Sequence, residues 1–370
     1  MHAIFACEKQ EQCDPYRQIL INCGVDCGAE DAVVYGDLAP RINRGGAELL
    51  VVLLGAEPHG GLRLIQAVHD KGALPIIALG PSHDAQIIMQ AMNAGAREYL
   101  DIDLPRESLA KSLEKLRQVG VIQFRRGQCI AVTGAAPGSG VTTVASGLAF
   151  ALAAKHPKQV FLTEIGSDVP ELALDLDLQV RNSVSQLLHD WERVDSSAVR
   201  QAAVEHAAGV YVLADANVGP HPKSAGADAG RQLIALVRTM YDFAVYDVGH
   251  AAQAGAQQAI RMADRVVLVV RLDVPSLRLT RALLNNLMDW GVTQQHLTLV
   301  ANRYGQRGQI NWKTVEEALG LPIAVWLPDD SATLNQALNL GVPVIEASRW
   351  SKLNRRFGEL AAKIIEAVKK

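Results

Sequence analysis

The residues Val132-Thr133-Gly134-Ala135-Ala136-Pro137-Gly138-Ser139-Gly140-Val141-Thr142-Thr143 join an apolar run to a run of small, helix-forming residues through a glycine-rich turn. A strand that passes into a helix through such a turn calls for a parallel α/β sheet around it. The turn is also a phosphate-binding pattern: Gly134 opens it and Gly140-Val141-Thr142 closes it, close to G-x-x-x-x-G-K-[ST] but with Val141 at the lysine position. Backbone N–H groups from Gly138 to Thr143, Ser139 included, can turn toward phosphate oxygens, because glycine permits positive φ and the following helix offers its positive end. The Thr142 hydroxyl stands where such a loop meets Mg²⁺. The mobile ammonium that steadies β- and γ-phosphates is missing, so binding is expected and fast hydrolysis is not.

At 370 residues, 49% of them apolar, the chain can bury two cores. A net charge of -3 carries no basic excess, so no nucleic-acid partner is expected. The five cysteines, Cys7, Cys13, Cys23, Cys27 and Cys129, form no metal-type spacing, and reduced thiols in a cytoplasmic protein are the expected state. The N-terminus has no secretory pattern, and no apolar run reaches membrane-spanning length. A soluble, cytoplasmic protein is expected.

Short apolar runs alternate with longer helical ones from Ala3 onward. Ala3–Cys7, Ala32–Tyr35, Leu49–Leu54, Pro75–Leu79 and Glu98–Leu100 read as five strands, with helical periodicity between them. This order, and the phrase Ala94-Gly95-Ala96-Arg97-Glu98-Tyr99-Leu100, resembles the response-regulator receiver. That resemblance implies an aspartate after the third strand, acidic metal ligands after the first, a hydroxyl after the fourth and a lysine after the fifth. The corresponding places hold Leu54 or Gly55, Cys7 and Glu8, Gly80, and Ile102, so aspartyl phosphorylation is not expected. A recognition or dimerisation module and a plain packing domain both remain open. Residues 1–120 are taken as this degenerate receiver-like domain, 121–128 as a polar linker and 129–370 as a second domain.

In that second domain, Val160–Thr163, Val210–Leu213, Phe243–Asp247, Val266–Val270, Leu297–Val300 and Ile323–Trp326 read as strands. Helical patterns cover Val144–Ala154, Gly230–Tyr241, Ser276–Leu287 and Lys313–Leu319. The expected architecture is a doubly wound α/β domain with ligands at the carboxyl ends of its strands. Asp247 ends such a strand and can hold Mg²⁺ beside Thr142, the alternative being a cap or loop hydrogen bond.

Together these phrases resemble the MinD/ParA class of P-loop ATPases, and most of all the TadZ/CpaE proteins of Flp (type IVb, tight adherence) pilus assembly, where a degenerate receiver domain precedes an ATPase-like one. The resemblance rests on the two-domain order, the strand-ending Asp247, Ala263-Asp264-Arg265-Val266-Val267-Leu268-Val269, Asp273-Val274-Pro275-Ser276, Asn302-Arg303 and Leu327-Pro328-Asp329-Asp330. It implies that the loop backbone binds ATP phosphates, that Thr142 and Asp247 bind Mg²⁺, and that Asn302 and Arg303 lie near adenine. For Asn302 a loop-stabilising amide is an equal alternative; Pro328 to Asp330 either border the adenine pocket or form a turn. It further implies a homodimer and pilus secretion proteins, such as the secretion ATPase, as partners, at the cell pole or near the inner membrane.

The chain departs from the class in two places. Ala136 stands where a signature lysine would reach across the dimer, and Glu164-Ile165-Gly166, with Asp168 beyond, replaces a D-x-D motif. Glu164 is a candidate for positioning the attacking water, with a solvated loop acid the preferred alternative. Arg271 either substitutes for a lost cation or pairs with Asp273. The apolar stripe Leu353, Phe357, Leu360, Ala361, Ile364 and Ile365 can bind membrane or dock on its own sheet, and docking is expected. The leading expectation is a pilus assembly factor with little or no ATP hydrolysis; the alternative is an active ATP-driven dimerisation switch.

Overall fold

The computed structural model describes residues 1–370 apart from 24, 56, 73, 104, 120–126, 166–169, 190–193, 216–226, 250–253 and 369–370. The chain divides into two compact units, Met1–Arg126 with Glu192–Ser197, and Gly127–Trp191 with Ala198–Lys370. Most of the expected linker at 121–128 lies outside the described residues; Gln128 already belongs to a strand.

The first unit contains β1 (Ala3–Cys7), β2 (Ala32–Val34), β3 (Leu49–Leu53), β4 (Ile76–Gly80) and β5 (Glu98–Asp101) in a parallel sheet of order β2-β1-β3-β4-β5. This is the flavodoxin-like order. Alternation along each strand sends Phe5, Val51 and Ile77 to one face and Ile4, Val52 and Ala78 to the other, and both faces are buried. That is why the strands read as continuous apolar runs. Helices Cys13–Asn22 and Pro105–Gln118 share the first core, which takes up Leu20, Leu109, Leu113 and Leu116.

The carboxyl edge of this sheet is filled. Leu54 is fully buried, and the Tyr35 hydroxyl donates to the Leu53 carbonyl. A Cβ on Gly61 would stand 2.5 Å from Leu54 and 2.8 Å from the Tyr35 hydroxyl. Cys7 and Cys13 are joined in a disulfide, where reduced thiols were expected; Cys23, Cys27 and Cys129 are not disulfide-bonded. The departure arises because the end of β1 and the start of the next helix bring the two Cα atoms to 6.1 Å, a closeness that spacing along the chain does not reveal.

At the opposite edge, Asp31 is buried between two cations. His2 Nε2 lies 2.8 Å from its Oδ2, Arg41 Nε donates to its Oδ1 at 2.6 Å, and His2 Nδ1 faces the Gly46 carbonyl at 3.0 Å. The hydrogen bond to Asp31 raises the His2 pKa above 6.5, against the pull of burial. Burial pushes Asp31 up, but His2 and Arg41 outweigh it and hold it below 3.8.

The second unit contains β6 (Gln128–Gly134), β7 (Val160–Glu164), β8 (Val204–Glu205), β9 (Val210–Leu213), β10 (Phe243–Asp247), β11 (Arg265–Arg271), β12 (Leu297–Tyr304) and β13 (Ile323–Pro328). Their order is β13-β12-β11-β6-β10-β7-β9-β8, parallel throughout except for the short β8, an edge strand antiparallel to β9. The chain crosses from one side of β6 to the other between β10 and β11, which puts the topological switch point at the central strand's carboxyl end.

Helix Val141–Ala153 lies over this sheet, and the C-terminal helix Lys352–Val368 lies against it, burying Leu353, Phe357, Leu360, Ala361 and Ile364 in the same core. The amphipathic stripe is therefore spent inside the fold. No helix among the described residues is long and apolar enough to cross a membrane. Gly147 makes the close helix contact possible, because a Cβ there would meet the Phe357 ring at 2.4 Å.

Two predictions follow from this packing. Gly147→Ala would ordinarily stabilise a helix interior by about 0.5–1 kcal/mol, but here overpacking reverses the sign and costs about 1–3 kcal/mol. A lowered thermal midpoint, partly recovered by Phe357→Leu in the same chain, is the expected result. For the His2–Asp31 pair, His2 contributes stability fully below pH 6.5 and loses it as pH rises through its raised value, whereas Asp31 contributes above pH 3.8. His2→Gln should therefore lower the first unit's urea midpoint at pH 5.5, by about 1–3 kcal/mol equivalent, and much less at pH 9.

Candidate functional site

The loop between β6 and helix Val141–Ala153 lies at the switch point. Counted back from Gly140, the first glycine of the phosphate-loop pattern falls on Ala135, one residue past Gly134, which is the last residue of β6. Gly138 and Gly140 take φ of +67° and +90°, conformations that side-chain-bearing residues rarely adopt. Around Gly138 there is open space: nothing lies within 4 Å of where a Cβ would be. The helix makes its first i→i−4 bond from Val144 N–H to Gly140 C=O, at 3.0 Å. The N–H groups of Val141, Thr142 and Thr143 precede that bond and have no acceptor within the helix.

Val141, at the lysine position, packs against the core beneath the loop. Ser139 is almost fully buried at 1% exposure, and its hydroxyl lies 2.6 Å from where a Gly134 Cβ would be.

Parallel register carries Asp247 to the same level as Val132 on one side and Glu164 on the other. Asp247 is buried. Burial raises its carboxyl to about 6, while hydrogen bonds from the Thr142 side chain and the Gly249 N–H act in the opposite direction and nearby Glu171 adds to the rise. The Thr142 side chain thus acts on the Asp247 carboxyl as a hydrogen-bond donor.

Glu164 is not a solvated loop acid. It is buried at 4% exposure, its Oε1 accepts the Asp215 N–H at 3.2 Å, and its Oε2 accepts those of Glu171 at 3.0 Å and Leu172 at 3.5 Å. Burial raises it to about 7 against those bonds, with Asp247 adding to the rise. This carboxylate fastens the segment after β7 to the end of β9. Asp175 is raised to about 6 by burial, by Glu171 and by Asp247. Nothing in the local sequence marks Glu171, Asp175 or Asp215; the folded chain brings the Glu171 and Asp215 N–H groups onto Glu164, and Asp175 close enough to Asp247 for its charge to be felt. Asp168 lies outside the described residues.

Asn302 spans the other side of the site. Its Nδ2 donates to the Ser139 carbonyl at 2.7 Å, and its Oδ1 accepts the Arg303 N–H at 2.9 Å. Arg303 has a φ of +54°, and its carbonyl accepts from Gln309 Nε2 at 2.5 Å. Pro328 ends β13 in register with Tyr304, and the Asp330 carboxylate accepts the Thr333 N–H at 3.2 Å, capping helix Ser331–Leu340. Arg271 pairs with Asp273 at 3.2 Å. The structure therefore brings Gly138 to Thr143, Asp247, Glu164 and Asn302 together, and it uses Asp330 and Arg271 locally.

The donor set fits Mg²⁺. A hydroxyl and a carboxylate are hard oxygen donors, and Mg²⁺ is commonly held by one or two protein oxygens together with phosphates and water. Among the described residues no group of three or more His, Cys, Asp or Glu is placed to hold a metal ion.

A family model described as cellulose biosynthesis protein BcsQ matches residues 128–362, more than half of the chain. The chain belongs to the BcsQ family. The matched region coincides with the second unit. The septum site-determining protein MinD of Thermotoga maritima is 24% identical over 245 residues, 64% of this chain and 88% of that protein. Among solved structures, Pyrococcus furiosus cell division ATPase MinD superposes with a TM-score of 0.58 at 22% identity, covering 65% of this chain and 99% of that one. A ParA family ATPase from Chlorobium tepidum superposes with 0.59 at 19%, covering 63% and 98%. MinD from Pyrococcus horikoshii, complexed with Mg-ADP, superposes with 0.57 at 21%, covering 66% and 99%. The BcsQ-family unit of this chain thus has the MinD/ParA P-loop ATPase fold.

Three carboxyls near the loop titrate above their ordinary values, so the folded unit holds more protons than the unfolded chain between about pH 4 and 7. Stability of the second unit therefore falls as pH rises through that window. Glu164→Gln should make the pH dependence of its urea midpoint shallower, at the cost of one backbone acceptor; an unchanged slope would contradict the assignment.

Proposed function

We propose that this chain is an assembly factor that holds a Mg²⁺-bound adenine nucleotide and turns it over slowly or not at all. The second unit serves as a dimerisation scaffold that places Flp (type IVb) pilus secretion proteins, the secretion ATPase among them. The observation that carries the reading is the pairing of a Thr142–Asp247 hydrogen bond with a loop that has the apolar, half-buried Val141 packed against the core where an ammonium would stand. Main-chain donors and two hard oxygen donors, Thr142 and Asp247, support the binding half of the reading; Ala136 and Val141 stand at the two ammonium positions. Each charge-stabilising group in phosphoryl transfer is commonly worth ~10³ in rate, so turnover without two of them should be very slow. The placing role is supported by the order of units, a five-stranded sheet whose carboxyl edge is filled ahead of a MinD/ParA-type unit. The Mg-ADP in the horikoshii relative supports the choice of ligand.

Carboxylates outnumber ammonium groups around the loop, so Mg²⁺ is needed to balance the phosphates. Titration calorimetry should show ATP binding with Mg²⁺, loss of most affinity with EDTA, and at least ten-fold weaker binding in Thr142→Val. No heat at millimolar Mg-ATP would overturn the reading. An active dimerisation switch is the second reading, favoured by the intact Thr142–Asp247 contact; phosphate release at an ordinary ATPase rate, abolished by Asp247→Ala, would establish it in place of the first.

A further inference from the structure

We propose that Asn302 is a positioning residue that sets the phosphate loop in its anion-accepting form. The inference rests on the reading of that loop as a polyphosphate site. Asn302 ends the described part of β12 that pairs with β11, in register with Arg271, and its side chain reaches the loop that follows β6, the strand on the far side of β11. There its Nδ2 donates to the Ser139 carbonyl at 2.7 Å. A trans peptide is planar, with its C=O and N–H pointing in opposite directions. Anchoring the Ser139 carbonyl on Asn302 therefore points the Gly140 N–H in the opposite direction within that plane, away from the Asn302 amide.

The neighbouring residues are arranged to let this bond form. A Cβ on Gly140 would lie 2.3 Å from Asn302 Nδ2, so glycine is required there for space as well as for its φ of +90°. The other end of the amide accepts the Arg303 N–H, and Arg303 is held at positive φ with its carbonyl bound by Gln309. That second bond fixes the carboxamide's orientation, with the nitrogen toward the loop. Among the described residues, Asn302 is the side-chain donor that reaches the carbonyls of residues 134–140. Val141 and Ala136 bring no donor to this task. In a loop without lysines, pre-setting the main chain is the remaining means of lowering the ordering cost of anion binding.

Two readouts test the latch on the full chain. Asn302→Leu removes the donor without adding charge, and Gly140→Ala keeps Asn302 but denies it the space. In the unliganded protein, either variant should speed hydrogen exchange of the Ser139 amide, which donates to the Ala136 carbonyl at 3.1 Å, ten-fold or more, while β6 and β10 amides stay as they are. Unchanged exchange at that amide overturns the proposal whatever the ligand does. Calorimetry with Mg-ATP and with Mg-tripolyphosphate, which has no base, then separates the latch from adenine recognition. Loss of affinity by the same factor for both probes supports the latch, and the Asn302→Leu and Gly140→Ala losses should not add in the double variant. A loss confined to Mg-ATP assigns Asn302 to the base and overturns the latch. Should the unaltered chain bind neither probe, the nucleotide-holding function fails, and the exchange result alone decides on the latch.

Discussion

Parallel pairing of β6 with β10 on one side and β11 on the other sets the level at which each chemically important residue leaves the sheet. Asp247 faces Val132 across one ladder and Glu164 across the next, while Asn302 emerges beside Arg271 two strands away. A parallel ladder buried on both faces tolerates little slippage, because a one-residue shift would turn every apolar side chain to the wrong face. The site is thus a consequence of core packing. Its side chains stand where they do because the strands beneath them have no other register that buries Ile130, Val132, Leu162, Val245 and Val267.

Above that sheet the balance of charge is unusual for a phosphate site. Asp247, Glu164 and Asp175 are buried or half-buried carboxyls that hold their protons more tightly than in water, chiefly because burial penalises their ionised forms. Val141 packs half-buried against the core, and Arg271 is engaged with Asp273. The groups here that can face an anion are the aligned main-chain N–H groups at the start of a helix, with the Thr142 hydroxyl and the Asp247 carboxylate as the hard oxygen donors beside them. Such an arrangement suits retention of a ligand better than stabilisation of charge that develops in a transition state.

The first unit presents the same division between shape and chemistry. Its strand order, doubly covered sheet and helical layers are complete, yet its carboxyl edge is occupied by Leu54, Tyr35 and the Cys7–Cys13 disulfide. At the far edge, the buried Asp31 between His2 and Arg41 ties the chain's first residues to the segment after β2. Apolar groups thus fill the carboxyl edge of this sheet.

Apolar runs and glycine placement were enough to locate the strands of both sheets except the two-residue antiparallel edge strand β8, because fully buried parallel strands are written as near-continuous apolar runs whereas an edge strand is not. The loop from Gly134 to Thr143 and the strand-ending Asp247 were legible for the same local reason: a strand, a turn and a helix start are contiguous in the chain. Contacts between distant segments were not. The cysteine pair closes across a strand–helix junction, Glu164 is buried by N–H groups from residues 171, 172 and 215, and Asn302 meets Ser139 from 163 positions away. Hydrophobic period and turn chemistry act over a few residues and so belong to the sequence by itself. Which carboxylate is dry, which amide holds the loop and which helix face is covered depend on what the folded chain places opposite each group, and only the tertiary structure decided that.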